Sequence, residues 1–366
     1  MTITFPHLGD VHIVARLLFH EMGIKIVVPD MNTGKALERG AAISPEEMCL
    51  PFKVMAGNLA YAFDQGADTV IMPATVGPCR LGKYADLLHS VLGKAGMRFN
   101  WIVIESPTEI GIRELMRRLA QIVSGKSVRA TKAIAILNDS VRLMKRLDRL
   151  RAHAYERAGQ ALVPRECLRT LKKCTEELSK SESMRASFKI IRKWEKELEQ
   201  TAVDPNKQPI KLLMTGEIYT LIEPFANKNI DAKLMELGVS FSKRVTVSWW
   251  MRHTLIEGIC KGPLKIFNRN HRERNQYLKY NIGGYSKQTV EEGIICKRDG
   301  YDGIIQILPA GCMPEIVAKS ILTRMSAEQG IHMLNIIFDE MDGEAGYITR
   351  LEAFVDMLER RRRCTF

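Results

Sequence analysis

Twice in this chain a short apolar run is closed by proline, and a glycine and a cysteine follow. The first instance is Thr69-Val-Ile-Met-Pro73, leading to Gly77, Pro78 and Cys79; the second is Asp302-Gly-Ile-Ile-Gln-Ile-Leu-Pro309, leading to Gly311 and Cys312. Apolar runs this short, bounded by turn residues, predict buried strands, and helical spacing resumes soon after each. Each cysteine therefore sits past the carboxyl end of a strand and near the amino end of a helix. Ligands bind at that edge of an open α/β sheet. The helix dipole there favours an anion such as a thiolate.

The surrounding segments extend the pattern. Residues 1–129 read as alternating helix and strand: a helix over 9–22, a strand over 24–28 ended by Pro29, a helix over 54–65, a strand over 101–104 and a helix over 108–124. Ser44-Pro-Glu-Glu47 reads as a helix start, with Cys49 immediately after it. From 130 to 204 the period turns helical, carried by Ile134, Leu137, Val141, Met144, Leu147 and Leu150. Pro164 breaks that run, and a second helical stretch over 166–199 follows. Cys167 and Cys174, seven apart on one face, read as packing residues. Asp204-Pro-Asn-Lys-Gln-Pro209 is a linker by composition.

Residues 205–338 repeat the alternation, with strands expected over 210–214, 245–249 and 302–309 and a last one over 332–338. Thr215-Gly-Glu-Ile-Tyr219 is expected as a loop on the ligand edge, and Asn281-Ile-Gly-Gly-Tyr285 as a flexible one. Residues 339–366 are an acidic turn and a closing helix. The expected fold is α/β: two doubly wound parallel-sheet domains facing each other, with a helical hairpin or bundle between them. The repeated order of strand, Pro, Gly and Cys suggests weak internal symmetry between the two halves.

Composition sets limits on function. The chain is 46% hydrophobic and 26% charged, an ordinary globular balance. It holds no apolar run long enough to cross a bilayer and no secretory leader, so a cytoplasmic protein without disulfides is expected. The net charge of +12 lies largely on helical faces around residues 113–118 and 142–151 and in the tail. Solvated helix surfaces account for it without nucleic acid; an acidic protein partner or a coenzyme phosphate is the alternative. Among the eight cysteines no CxxC pair occurs, so any metal site draws ligands from distant segments. Cys49, Cys79 and Cys312 share one context, a helix start beside proline. Three thiolates suit an iron–sulfur cube with one iron open to substrate. Lys53, Arg80 and Lys83 would balance its charge. On spacing alone, a metal-free nucleotide- or CoA-binding protein with structural cysteines stays open.

Longer motifs narrow the choice. Phe5-Pro-His-Leu-Gly9, Ser44-Pro-Glu-Glu-Met-Cys-Leu-Pro-Phe-Lys53, Gly66-Ala-Asp68 and Cys79-Arg-Leu-Gly-Lys-Tyr84 come first. Gly216-Glu-Ile-Tyr219, Glu223-Pro-Phe-Ala-Asn227, Gly311-Cys-Met-Pro-Glu315, Gly343-Glu-Ala-Gly346 and Thr349-Arg-Leu-Glu-Ala-Phe354 follow. In this order, over nearly the whole length, the chain resembles the 2-hydroxyacyl-CoA dehydratase superfamily, and within it the dehydratase-activase-related proteins. The resemblance implies a [4Fe–4S] cluster on Cys49, Cys79 and Cys312, with Lys53 and Arg80 beside it. Glu217, Tyr219 and Glu315 are the candidate catalytic or substrate-contacting residues. It also implies an ATP-hydrolysing activase of the actin/Hsp70-like fold, which delivers a low-potential electron. In the dehydratases that electron makes a substrate ketyl radical that sheds its hydroxyl. No GxxxxGK[ST] loop occurs, consistent with a partner handling ATP. Relatives with a double-cubane [8Fe–9S] cluster reduce small molecules. Such a cluster needs about six thiolates, and only Cys260 and Cys296 remain near the second domain's loops, so a single cube is expected, with bridging across a homodimer or a related subunit as the variant. The function expected is reductive or dehydratase-type chemistry on an acyl-CoA or small molecule; the alternative is a non-catalytic electron carrier.

Overall fold

The structure is a computed structural model that describes residues 1–74, 79–123, 129–253, 273–274, 276–341 and 343–364. The first lobe runs β1 (Ile3–Thr4), α1 (Val11–Glu21), α2 (Gly34–Ile43), α3 (Leu50–Asp64), β2 (Thr69–Pro73), a 3-10 turn (Arg80–Lys83), α4 (Tyr84–Lys94), β3 (Asn100–Ile104), α5 (Pro107–Ile110) and α6 (Ile112–Val123). A helical unit of α7 (Ala130–Gln160), α8 (Arg165–Ser179) and α9 (Met184–Glu199) follows. The second lobe runs β4 (Lys211–Gly216), α10 (Ile218–Ile222), α11 (Ile230–Glu236), β5 (Ser240–Lys243), α12 (Val247–Met251), α13 (Ser286–Arg298), β6 (Gly303–Pro309), α14 (Met313–Gln329), β7 (His332–Phe338) and α15 (Glu344–Cys364). The chain is thus α/β with two parallel sheets.

The sheets share one topology. The second is ordered β5-β4-β6-β7, all parallel. The first is ordered β1-β2-β3, and a parallel bridge from Ile3 to Ile26 puts the segment after α1 on the outer side of β1. In both, the chain goes to one side of its first strand and then crosses to the other. The order reverses between β1 and β2 and between β4 and β6, and a crevice opens at the carboxyl ends there. Loop Phe5–Gly9 leaves the first crevice; Glu217 and the turn to Cys312 leave the second.

Several local expectations change. Residues 24–28 form no strand; Ile26 alone makes the bridge. Ser44 does not start a helix but ends α2 with extended ψ of 151°, and its N–H bonds Gly40 O. Proline after a helix end cannot continue the helix, which explains Pro45. The next helix starts at Leu50, with Cys49 in the N-cap position. The stretch expected as one helix over 108–124 breaks at Gly111 (φ +78°), and that over 166–199 breaks between α8 and α9. Residues 247–251 are helical where a strand was expected, because Thr246 caps them by accepting from Trp249 N at 3.3 Å.

One continuous apolar core joins both lobes to the helical unit, from Leu17 and Leu59 through Leu147 and Leu171 to Leu212, Ile307 and Leu351. Helix α7 is pinned to each lobe. Its Arg151 binds Asp10 of the first at 2.5 and 2.7 Å. Its Tyr155 hydroxyl donates to Asp231 of the second at 2.8 Å, and its Asp148 accepts from Ser248 N at 2.9 Å. The lobes also clasp directly. His7 Nδ1 and Gly9 N both meet Glu223 Oε2, at 2.9 and 2.8 Å, with His7 and Glu223 fully buried. Asn32 Nδ2 donates to the Tyr219 hydroxyl at 3.2 Å. No described helix is long and apolar enough to cross a membrane.

Candidate functional site

Cys49, Cys79 and Cys312 each occupy the residue before a helical turn: α3, the Arg80–Lys83 turn and α14. All three have extended ψ (156°, 140° and 91°), and none caps its helix through the side chain. The backbone N–H groups of Phe52, Leu81 and Glu315, in the turns that follow, ease the thiols of Cys49, Cys79 and Cys312 downward. Leu50-Pro51 and Met313-Pro314 put a proline in the first turn of α3 and α14, where its missing N–H costs nothing. All three cysteines are half-buried and unbridged.

The two lobes meet at these thiols. A Cβ on Gly284 would stand 3.6 Å from Cys79 Sγ and 3.3 Å from Pro314, so the 283–284 loop packs between the first lobe's cysteine and the start of α14. Gly284 has φ of +55°, a conformation side chains rarely adopt. Burial pushes all three thiols above their ordinary value, and the Glu217 carboxylate adds to the rise in each. Glu315 adds to it at Cys79 and Cys312, and Cys79 acts on both other thiols. Tyr84 hydroxyl meets Cys49 Sγ at 2.5 Å; its ring stands edge-on to Phe52 at 5.1 Å.

The carboxylates are built in. Glu217 caps α10, taking Tyr219 N on one oxygen and Thr220 N and Oγ1 on the other, at 2.8–2.9 Å. Gly216 (φ +136°) allows this turn, since a Cβ there would lie 1.8 Å from Ile307 O. Glu315 is 1% exposed and takes Thr289 Oγ1 at 3.0 Å and Gln306 Nε2 at 2.9 Å. Burial raises it to about 7 despite those bonds. Tyr219 is buried, and with Tyr285 it lines an apolar cavity of about 290 Å³ between the lobes, together with Pro73, Leu81, Met72 and Trp250. None of the three cysteines lines it; Leu81, two residues past Cys79, does.

The charged residues expected near the thiols each have a partner of their own. Lys53, 5% exposed, holds both Glu340 oxygens at 2.9 Å and so ties α3 to the turn after β7. Arg80 is exposed and donates to Glu47 O at 2.8 Å, yet its charge eases the Cys79 thiol downward. Lys83 pairs with Asp86 at 3.7 Å on the surface. Cys296 lies in the core around Leu322 and Ile304, its thiol raised by burial to about 12. Cys167 and Cys174 are buried in the main core. Cys260 lies outside the described residues. The partners Tyr84, Gly284, Tyr285, Thr289 and Gln306 were not singled out as site residues. Tyr84 closes the Cys79-to-Tyr84 motif and Gly284 stands in the glycine pair, so both carried a signal; Thr289 and Gln306 look like ordinary helix and strand residues.

Among the described residues no three His, Cys, Asp or Glu side chains close around a single metal ion. A cube spreads its thiolates over separate irons and so sets them farther apart than one ion does. The donor set fits a cube: three soft sulfurs at helix starts. They share a buried setting with two carboxylates, where thiolates are disfavoured unless cationic metal offsets the charge.

Comparison with known families agrees over most of the chain. A family model described as 2-hydroxyglutaryl-CoA dehydratase, D-component, matches residues 108–358. One described as a CoA enzyme activase uncharacterised domain matches residues 9–80. No curated protein matches the chain.

Proposed function

The chain belongs to the 2-hydroxyglutaryl-CoA dehydratase D-component family, and from that premise we propose that Cys49, Cys79 and Cys312 hold a [4Fe–4S] cluster serving dehydratase-type or related reductive chemistry. An ATP-hydrolysing activase is the electron donor in this reading, which the activase-related match over residues 9–80 supports. When bound, such a cluster supplies a low-potential electron and an iron open to a substrate oxygen. The observation that carries the proposal is the meeting of the Cys79 and Cys312 segments around Gly284, with Glu217 acting on all three thiols.

The protein's own groups have definable tasks. Tyr84 orients Cys49 through its hydroxyl. Glu315, held by Thr289 and Gln306, is a buried acid beside the site that can keep or give up a proton near neutrality. The apolar cavity lined by Tyr219 and Tyr285 excludes water and has room for the acyl part of a thioester. That cavity favours an enzyme over a pure electron carrier, which needs no substrate compartment.

Anaerobic purification followed by iron and sulfide analysis tests the cluster. About four irons per chain and a broad band near roughly 400 nm are expected; a colourless, iron-free protein prepared without oxygen overturns it. Reduction by activase and ATP, followed by reoxidation on adding a 2-hydroxyacyl-CoA, is the result expected of an enzyme. Reoxidation only by another redox protein assigns the carrier role instead.

A further inference from the structure

Helices α7 and α9 lie side by side in the helical unit, and both present cations to the groove between them. On α7 these are Arg142, Lys145, Arg146 and Arg149; on α9 they are Arg185, Lys189 and Arg192. Each set follows the spacing of one helix face, so the groove is walled by two rows of positive charge. Its volume is about 700 Å³. Phe188 forms part of the wall and is covered by the Arg142 guanidinium, 5.7 Å from the ring centre.

Elsewhere many arginines of the chain are paired: Arg39 with Asp64, Arg118 with Glu105 and Glu114, Arg274 with Glu291, Arg362 with Asp302. Within the groove, Arg142 meets Asp139 and Arg146 meets Glu195. Lys145, Arg149, Arg185, Lys189 and Arg192 make no ion pair with any described residue. Five uncompensated cations within two helical turns repel one another, and a bound anion removes that cost.

We propose that this groove binds a compact polyphosphate: the phosphate chain of a nucleoside polyphosphate, or an inorganic one. Charge density selects this class. Seven residues of helix span about 10 Å. An acidic helix laid there offers two or three carboxylates on one face over that length, too few for five free cations. A tri- or tetraphosphate packs four or more charges into the same length. Most of the lining cations are arginine, whose planar fork bonds phosphate oxygens in pairs. Single-stranded nucleic acid is disfavoured because the one ring in the groove is already covered by Arg142, leaving no stacking platform. The proposal concerns the helical unit and stands apart from the cluster reading.

Calorimetric titration of the full chain with inorganic triphosphate, at low and at near-physiological salt, tests it. One site per chain is expected, weakening with salt. The double variant Arg149→Glu/Arg192→Glu loses affinity by about tenfold or more, a change of about 1.4 kcal/mol or more, and Arg149→Gln/Arg192→Gln shows the same direction without charge reversal. Lys94→Glu, an exposed lysine on α4 outside the groove, leaves binding unchanged. Equal affinity for triphosphate and for a nucleoside triphosphate assigns recognition to the phosphate chain; tighter nucleotide binding assigns the natural ligand to nucleotides. Absence of binding at low salt, equal loss in the Lys94 variant, or binding only of single-stranded nucleic acid or of an acidic peptide overturns the proposal. Circular dichroism of each variant separates lost binding from lost folding.

Discussion

Cys79 and Cys174 show how position decides what a thiol can do. Both are raised by burial, but Cys174 is enclosed in the apolar core at 1% exposure, whereas Cys79 sits half-buried at the seam of the lobes. Under the cluster proposal Cys79→Ser loses most of the iron of anaerobically prepared protein, while Cys174→Ser keeps it at some cost in stability. Equal iron in the two variants refutes the ligand assignment. Glu292 gives a prediction independent of any cofactor. It is buried on α13 and pushed up to about 8, because burial outweighs Arg244 at 3.3 Å. Arg244 is half exposed, so solvent screens its help. A carboxyl raised in the folded state favours folding while protonated. Its contribution is therefore present below the unfolded value of 4.5 and is lost as pH rises toward about 8. The melting temperature is expected to fall across that window. Glu292→Gln flattens the fall and stabilises the protein by on the order of 1–3 kcal/mol at pH above 8; an unchanged pH profile in the variant rules this out.

At the scale of elements, α2 and α3 cross with almost no gap. A Cβ on Gly57 would lie 1.7 Å from Ala36 O, and one on Gly40 would lie 1.8 Å from Lys53 O. Alanine is the better helix former by about 1 kcal/mol, but here it must push two backbones apart. Gly57→Ala is expected to destabilise by about 1–3 kcal/mol or more, read by denaturant unfolding; stabilisation instead shows that the helices can separate freely. This crossing also positions Cys49, which precedes α3. The same elements show what a sequence discloses. The central strands β2 and β6 were legible, because central strands of a parallel sheet are continuous apolar runs; β7, a half-buried edge strand, was legible because it is long and apolar on both faces. Short edge strands were not: β5 is Ser-Phe-Ser-Lys, with polar residues that suit an edge, while the more strand-like Val-Ser-Trp-Trp-Met was taken into a helix by Thr246. Helix α2 escaped notice because Gly34, Gly40 and several alanines hide its periodicity. The cysteines and Glu217 could be placed from their turns, whereas Thr289 and Gln306 meet Glu315 only through tertiary packing that local pattern does not encode.

For the molecule as a whole, the largest core, which runs through both lobes, and the interlobe clasp argue against two bodies that fold apart. Removing the Glu223 carboxylate strands the N–H of Gly9 and the ring of His7 without an acceptor in a site closed to water. Glu223→Ala is expected to cost roughly 3 kcal/mol or more and to lower one calorimetric transition without splitting it. Two resolved transitions would mean that the lobes melt independently. The clasp also orders events during synthesis. His7 leaves the ribosome well before its partner Glu223, which emerges only after the whole helical unit has been made. The first lobe must therefore wait, with that histidine unsealed, until the whole helical unit exists. A nascent chain stalled before Glu223 should accordingly be cut by protease around His7 and Gly9, at a loop the finished protein keeps shut.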